Sequence, residues 1–540
     1  MNKKLWIITI FLVILFGVVA YNGLTDLIFQ QDEWMSLGAS ITRLEEGGVI
    51  RSIEDSFNLP ASITRVLPVA AILNHYVFNI FGLDFFKYGL LALFLVIINS
   101  LVVFWFAYKL VGRWLPSIFA ALMWLTNPLS YQAVSWFGAM STAQISFLLF
   151  IVSSICLLIF LEGNRKKWLF LSLVLILASV WTKETGVFYV VVFILLILRS
   201  RLKNKIKYLL VVFIPIVIAF VIPRFFMVGN QGMDNVGGEQ PGRLTYNIFL
   251  LPARSLSQVY FSQKDMYDFF RYINTNYYGG QIDGYVVEGI IPDVVSIMMS
   301  FYFVLLILLA VLISGRTVDR GIVFISLLSF FASVLPFAIF ENRAAILEPR
   351  YYIYPALWGG IVFSFVIWSL LSRLGWLGKA LFVLVGLMVL NYNVSGVQAS
   401  LKADVELGSY RRDILETVSL VGPKLGKDII YYFFTDHTGF YEFQSGFGQT
   451  LGVWFYDTGK VPREVLTDLD FWDPSYEGLK KFGDTKYGYF MTYDLLIEAL
   501  RQNTDIILDN VHSFYWDHAG HSVTDVSEQI RDKLREDLAR

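Results

Sequence analysis

Cysteine and charge are both scarce in this chain. A single cysteine, Cys156, occurs among 540 residues, so no disulfide can form within the chain and cysteines cannot build a zinc site. Charged residues make up only 16% of the sequence and leave a net charge of −1. That balance excludes the strongly basic face that nucleic acid binding requires. No 34-residue period is present either, which excludes a TPR array.

Apolar and aromatic residues are what the chain has in abundance. Hydrophobic residues reach 56%, aromatic residues 17%, and the mean hydropathy is +0.58, which is typical of an integral membrane protein. Apolar runs of about 17–25 residues predict membrane-spanning helices. We predict eleven spans, of which the third, fifth and sixth are short: 5–22, 87–109, 115–127, 142–161, 168–182, 186–199, 208–226, 292–314, 321–340, 352–371 and 376–394.

The loops between these spans indicate an orientation. With the N-terminus inside, the short basic loops all become cytoplasmic, as the positive-inside rule requires: 162–167, 199–207, 315–320 and 372–379. The opposite loops are more acidic and aromatic: 22–86, 128–141, 227–291 and 341–351. The first span, which follows Asn2-Lys3-Lys4, could be a signal peptide. Because no small-residue cleavage site follows it, we interpret it as an uncleaved anchor.

The composition changes at about residue 396. Charges become frequent and apolar runs shrink to strand length, at 428–434, 487–493 and 505–509. Helical stretches are predicted at 409–420 and 494–502 and over the last dozen residues. We therefore predict an α-helical polytopic membrane domain over 1–395, with outer loops 22–86 and 227–291, followed by a small extracytoplasmic α/β domain over 396–540.

Ionisable residues gather at span ends on the predicted outer side. Charges at membrane depth are costly, so a cluster on one face of a bundle is a hypothesis for a functional site. The candidates are Asp32 and Glu33 after span 1, Lys183 and Glu184 between spans 5 and 6, and Glu348, Arg350 and Tyr351 before span 10. Each group also has a simpler interpretation: a solvated acid pair, a lysine reaching to the interface, or an aromatic belt around an arginine.

These residue types suit transfer of a sugar from a lipid phosphate. Attack on an anomeric carbon needs a carboxylate to take the proton of the acceptor, a role for Asp32 or Glu33. The leaving polyprenyl phosphate needs positive charge, and the guanidinium of Arg350 can bind phosphate oxygens in a bidentate fork. The sequence alone does not force this chemistry.

Other polar residues are weaker candidates. His75 could contact a donor, but a hydrogen-bonded histidine at the interface is the simpler interpretation. Asp517, His518 and His521 could bind a metal, although Gly520 argues against the helix that their spacing would need. The glycine-rich stretch 229–242, with Asp234 and Glu239, does not fit a phosphate loop. No cofactor is indicated with certainty; the metal is unknown and a divalent cation beside Glu33 stays an alternative.

Five stretches, in order along the first 360 residues, resemble the GT-C superfamily of membrane glycosyltransferases. The resemblance is to the branch of protein O-mannosyltransferases and bacterial aminoarabinose transferases. The acid pair resembles its catalytic motif, and residues 67–104 are similar to the stretch leading into its second span. "NPLSYQAVSWFGAMSTAQISFLLF" resembles its "HP…EAV…W" segment, with Asn127 in place of His and no acid at 130–132. "WTKETG" resembles its "KE-G" turn, and "EPRYYIYP" its "ERYLYLP" motif with Pro349 inserted.

The resemblance implies an inverting, hexosyl- or mannosyltransferase-like enzyme that uses a dolichyl- or polyprenyl-phosphate sugar. It implies Asp32 as the base, with Glu33 beside it. Lys183, Arg350 and their neighbours Glu184, Glu348 and Tyr351 would handle the donor phosphate. The acceptor would be a protein, lipid or glycan outside the plasma (inner) membrane. The relatives that bear TPR repeats are not a full-length match.

Three rival functions stay open at this stage. A transporter or flippase for lipid-linked sugars could also place Arg350 at a headgroup, although no inverted repeat is visible and the charges lie at span ends. A non-catalytic scaffold that presents residues 396–540 is another class. A polymerase or ligase that uses lipid-diphosphate oligosaccharides would need the same acid and the same cation.

Overall fold

The protein is mostly helical and carries one small sheet near its C-terminus. The computed structural model describes residues 2–30, 32–57, 67–222, 241–261, 263–284, 286–314, 317–338, 349–420, 425–435, 446–517, 519–520 and 522–540. The helices before the sheet are α1 Lys3–Ala20, α2 Asp32–Glu46, α3 Gly48–Phe57, α4 Pro68–Phe81, α5 Phe85–Val111, α6 Trp114–Leu125, α7 Ile145–Gly163, α8 Lys166–Thr182, α9 Val190–Arg199, α10 Lys205–Ile216, α11 Pro241–Gln258, α12 Gln263–Tyr277, α13 Ile291–Ser314, α14 Thr317–Ala338, α15 Ile353–Leu371 and α16 Gly375–Ser419.

Every predicted span coincides with a helix over most of its length. Six helical stretches of the described chain are long and apolar enough to cross a membrane: Lys3–Ala20, Phe85–Val111, Phe137–Gly163, Ile291–Leu312, Arg320–Ala338 and Pro349–Ser419, the last of which contains α15 and α16. The other predicted spans form shorter or interrupted helices. The chain is therefore compatible with a membrane protein, while the count of eleven spans and the orientation stay predictions.

The short third span has a physical explanation. Helix α6 has 12 residues and is about 18 Å long, less than the ~30 Å hydrocarbon core. It is buried along nearly its whole length, and the indole N–H of Trp124 donates to the carbonyl of Ile353 at 2.8 Å. Trp124 also stacks on Phe147 with ring centroids 4.7 Å apart. A helix enclosed by protein on all sides need not match the bilayer thickness.

Small polar residues bring α7 and α8 together. The hydroxyl of Ser153 donates to the carbonyl of Ser172 at 2.5 Å, and that of Ser179 donates to the carbonyl of Ser146 at 2.8 Å. In a bilayer the hydrophobic effect does not drive helices together, because lipid is as apolar as their side chains. Small residues that exchange hydrogen bonds let two such helices approach closely. The turn after α8, which carries Lys183, is thereby held against the bundle.

The predicted outer loop 227–291 is helical in its described part. Helix α11 packs on the spans instead of lying free: Asn127 donates to the carbonyl of Val259 at 2.8 Å, and the Tyr260 hydroxyl donates to the carbonyl of Gly359 at 2.9 Å. The glycine-rich stretch with Asp234 and Glu239 lies outside the described residues, apart from its last two positions.

The predicted C-terminal α/β unit is confirmed as a five-stranded sheet with helices beside it. The elements are β1 Ile429–Thr435, α17 Phe447–Trp454, α18 Leu469–Trp472, β2 Gly478–Phe482, β3 Thr485–Phe490, α19 Tyr493–Gln502, β4 Val511–Asp517, β5 Ser522–Asp525 and α20 Ser527–Ala539. Strands β1 and β3 pair in parallel, as do β1 and β4, while the edge strands are antiparallel, in the order β2-β3-β1-β4-β5.

The prediction of a strand at 505–509 is wrong. Asp505 pairs with Lys486, Ile507 is exposed, and residues Leu508–Asn510 form a 3₁₀ turn. The strand begins only at Val511, where the polar His512 interrupts the apolar run and hides it from a pattern search. The predicted strands near 428 and 487 are confirmed, as are the helix at 494–502 and the terminal helix.

The sheet domain and the membrane part are joined by one uninterrupted helix and by direct packing. Helix α16 has 45 residues, so the boundary predicted at 395–396 lies inside it. The domain also rests on α2: Arg463 forms an ion pair with Glu46 at 2.6 Å, and the rings of Trp34 and Trp454 lie 6.3 Å apart. A Cβ at Gly38 would lie 2.4 Å from the carbonyl oxygen of Leu466, so this contact requires glycine.

The orientation can be tested by cysteine labelling in a Cys156→Ala background. Lys166 lies in a predicted cytoplasmic loop, and Asp484 lies in the exposed turn between β2 and β3. We expect a membrane-impermeant maleimide to label Asp484→Cys in intact cells and to label Lys166→Cys only after permeabilisation. The reverse pattern would place the C-terminal domain inside and overturn the predicted topology.

Candidate active site

The two carboxylates of the acid pair have opposite environments. Helix α2 begins at Asp32, whose side chain is exposed, whereas the next residue, Glu33, is fully buried. The Glu33 carboxylate accepts the backbone N–H of Gln30 at 3.1 Å and that of Gly138 at 3.2 Å. Bonds from N–H groups to a carboxylate are roughly twice as strong as neutral ones. Glu33 therefore ties the loop after α1 to the loop after α6, while Asp32 stays exposed.

Aromatic packing explains the residues that flank the pair. Phe29 and Trp34 are both completely buried, and their rings meet edge to face at 5.2 Å. Phe29 also contacts Phe85 and Tyr88 at 5.0 and 5.1 Å. Such edge-to-face pairs each add about 0.5–1.5 kcal/mol beyond area burial. The start of α2 is consequently fixed on both sides of the carboxylates.

Two cations and two aromatic rings form a second group, which we call the cation cluster: Lys183, Arg350, Tyr351 and Trp136. The Arg350 guanidinium carbon lies 4.1 Å from the centre of the Trp136 ring and 5.1 Å from that of Tyr351. The Lys183 ammonium lies 5.1 Å from the Tyr351 ring. Cation–π contacts at these distances hold a positive charge without neutralising it. The structure thus brings together three residues predicted separately from two distant motifs.

The acid pair and the cation cluster are joined by a short piece of chain. Trp136 lies against Arg350, and the N–H of Gly138 bonds to Glu33. Because consecutive Cα atoms are about 3.8 Å apart, the Cα atoms of Trp136 and Gly138 are separated by about 7–8 Å at most. One hydrogen bond, a three-residue segment and one cation–π contact therefore connect the acid pair to the cation cluster.

One further carboxylate, which the sequence does not predict, lies against the same loops. Asp404, on α16, accepts a hydrogen bond from the Tyr131 hydroxyl at 3.2 Å and another from the Gln30 side chain. Gln30 and Tyr131 lie in the two loops that Glu33 connects. Asp404 carries no local sequence signal; only the uninterrupted length of α16, together with its helical phase, could have pointed to it.

His75 is held as part of the packing around α2 and α4. Its Nδ1 lies 3.2 Å from the Ser52 hydroxyl and 3.2 Å from the Asn79 amide. Burial lowers the pKa of His75, and the charge of Arg43 lowers it further. His75 is therefore a hydrogen-bonded histidine, as the simpler interpretation predicts. Its partners among the described residues include no member of the cation cluster.

The remaining candidates are less well defined. Glu184 is half-buried at the start of the 3₁₀ turn Glu184–Tyr189, and its donor-binding role stays a prediction. Glu348 lies outside the described residues, as do His518 and His521. Within the described ranges, no group of three or more His, Cys, Asp or Glu side chains could hold a metal ion.

The comparisons with known proteins add no relative. No protein-family model matches the sequence, and no curated protein matches it. The GT-C resemblance therefore stays a prediction based on the quoted motifs.

The contrast between the two carboxylates predicts different responses to neutralisation. In Glu33→Gln, the side-chain NH₂ must face one of the two backbone N–H donors, which leaves a buried donor unsatisfied at a cost of about 1–3 kcal/mol. We expect a clearly lower midpoint of thermal unfolding in detergent, followed by tryptophan fluorescence. The exposed Asp32→Asn is the matched control and should unfold near the wild-type midpoint. Equal midpoints for the two variants would contradict the structural role of Glu33.

Proposed function

We propose that the chain is an integral membrane glycosyltransferase. It moves a sugar from a polyprenyl- or dolichyl-phosphate donor to a hydroxyl acceptor at the outer membrane face. The observation that carries the proposal is the hydrogen bond between Gly138 and Glu33, because it joins the segment that carries the exposed Asp32 to the loop whose Trp136 contacts Arg350. Neither group alone points to this reaction, whereas a base and a phosphate-binding site on one region do.

The cation cluster supplies the donor site. Arg350 can offer two parallel N–H groups to phosphate oxygens, and Lys183 adds a second positive charge near the same Tyr351 ring. The rings of Trp136 and Tyr351 hold the guanidinium in place before any donor arrives. Such preorganised charge stabilises the phosphate as it leaves, at little reorganisation cost. The polyprenyl chain would remain in the membrane beside the bundle.

Asp32 supplies the base. It takes the proton of the acceptor hydroxyl while the acceptor oxygen bonds to the anomeric carbon and the bond from that carbon to the phosphate oxygen breaks. One displacement inverts the configuration of the sugar, and the electron pair of the broken bond stays with the polyprenyl phosphate. Glu33 does not need to exchange a proton in this scheme; it fixes the position of Asp32.

Native mass spectrometry with polyprenyl monophosphate tests the donor site without knowledge of the sugar. We expect saturable binding to the wild type and at least tenfold weaker binding to Arg350→Ala, because a charge-assisted hydrogen bond contributes about 1.5–3 kcal/mol. The matched control is Arg165→Ala, an exposed arginine in the predicted cytoplasmic loop.

The same titration tests two of the rival functions, the ligase or polymerase and the scaffold. A preference for polyprenyl diphosphate would favour the ligase or polymerase reading. Absence of binding to folded wild-type protein would contradict a lipid-phosphate site altogether and favour a scaffold.

A further inference from the structure

Helix α16, which contains the last predicted span, continues beyond it and places the carboxylate of Asp404 at the candidate active site. Helix α16 is about 68 Å long at 1.5 Å per residue, more than twice the hydrocarbon core. Asp404 lies in its polar half, well beyond residue 394, where the last predicted span ends. The neighbouring acids Glu406 and Asp413 are exposed, whereas Asp404 is turned inward and only partly exposed.

Asp404 connects the same two loops that Glu33 connects. Its Oδ2 accepts from the Tyr131 hydroxyl at 3.2 Å, and the carboxylate also accepts from the side chain of Gln30. The backbone N–H of Gln30 donates to Glu33. The loop that begins at Tyr131 continues to Trp136 and to Gly138, so the two carboxylates close a ring of contacts around this part of the protein.

A carboxylate is a costly choice for this position if its role is packing alone. Burial raises the pKa of Asp404, although the hydrogen bonds from Tyr131 and Gln30 and the charge of Arg411 act in the opposite direction. Removing a carboxylate from water costs free energy that an apolar residue would not spend. Hydrogen bonds from Tyr131 and Gln30, which lie in two separate loops, compensate this cost. Both bonds form only when the two loops lie together against α16.

We propose that Asp404 is a positioning residue of the transferase site. By holding Gln30 and Tyr131, it fixes the separation between Asp32 on one loop and the Trp136–Arg350 contact on the other. The inference rests on the proposed function. It also gives the C-terminal domain a defined relation to the site, because α16 carries both: the Arg412 guanidinium, two turns further on, donates to the carbonyl of Asp26 at 3.3 Å.

The test uses the full-length protein and the nearly isosteric variant Asp404→Asn. Turnover is followed as release of polyprenyl phosphate from a panel of polyprenyl-phosphate hexoses, and binding is followed with polyprenyl monophosphate. We expect kcat to fall at least tenfold while the Kd for polyprenyl monophosphate stays within twofold of wild type. Asp413→Asn, an exposed acid on the same helix, should leave both unchanged. A kcat within twofold of wild type in Asp404→Asn would overturn the proposal.

Hydrogen–deuterium exchange gives a readout that needs no substrate. We expect Asp404→Asn to raise amide exchange in residues 30–34 and 131–138 at least threefold relative to Asp413→Asn. Unchanged exchange would overturn the positioning role even if polyprenyl phosphate binds. Failure of wild-type protein to bind polyprenyl phosphate would instead reject the proposed function, whatever the exchange result. If Asp404→Asn does not fold, Tyr131→Phe removes one donor and must shift kcat and exchange in the same directions.

Discussion

The buried carboxylate of Glu33 is the interaction on which the candidate site depends. Its two oxygens accept backbone N–H groups from Gln30 and Gly138, which belong to loops more than a hundred residues apart. Without this tie, only Asp404 and the surrounding packing would connect the start of α2 to the loop that carries Trp136. Because Asp32 is adjacent to Glu33, the same tie also sets where the exposed carboxylate lies relative to Arg350.

The C-terminal domain supports this arrangement by packing against α2. Arg463 forms ion pairs with Glu45 and Glu46 at the end of α2, and the backbone of Leu466 lies so close to Gly38 that a side chain there would clash. Surface ion pairs contribute little on their own, so the packing at Gly38 and Trp34 is the stronger contribution. Helix α2 is thus held at its start by Glu33 and along its length by the domain, which gives residues 396–540 a structural role beside any other.

Much of the framework could be predicted from the sequence, because apolar runs and basic loops reflect strong physical constraints. The positions of the helices follow from hydropathy. The proximity of Lys183 to Arg350 agrees with the prediction that both lie at span ends on the same side of the membrane. The exposure of Asp32 and the burial of Glu33 could not be predicted, because they depend on the residue at which α2 begins. Asp404 was missed because its partners, Gln30 and Tyr131, are hundreds of residues away. Strand β4 was missed because His512 and Ser513 break its apolar pattern.

We propose that Asp32 and the cation cluster act on the same donor, and a single comparison tests this most directly. Polyprenyl-phosphate sugar turnover and polyprenyl monophosphate binding would be measured for Asp32→Asn beside wild type. The account predicts that turnover falls by at least 10²-fold, the usual contribution of a general base, while binding is retained. Turnover near the wild-type rate in Asp32→Asn, with binding intact, would contradict Asp32 as the base.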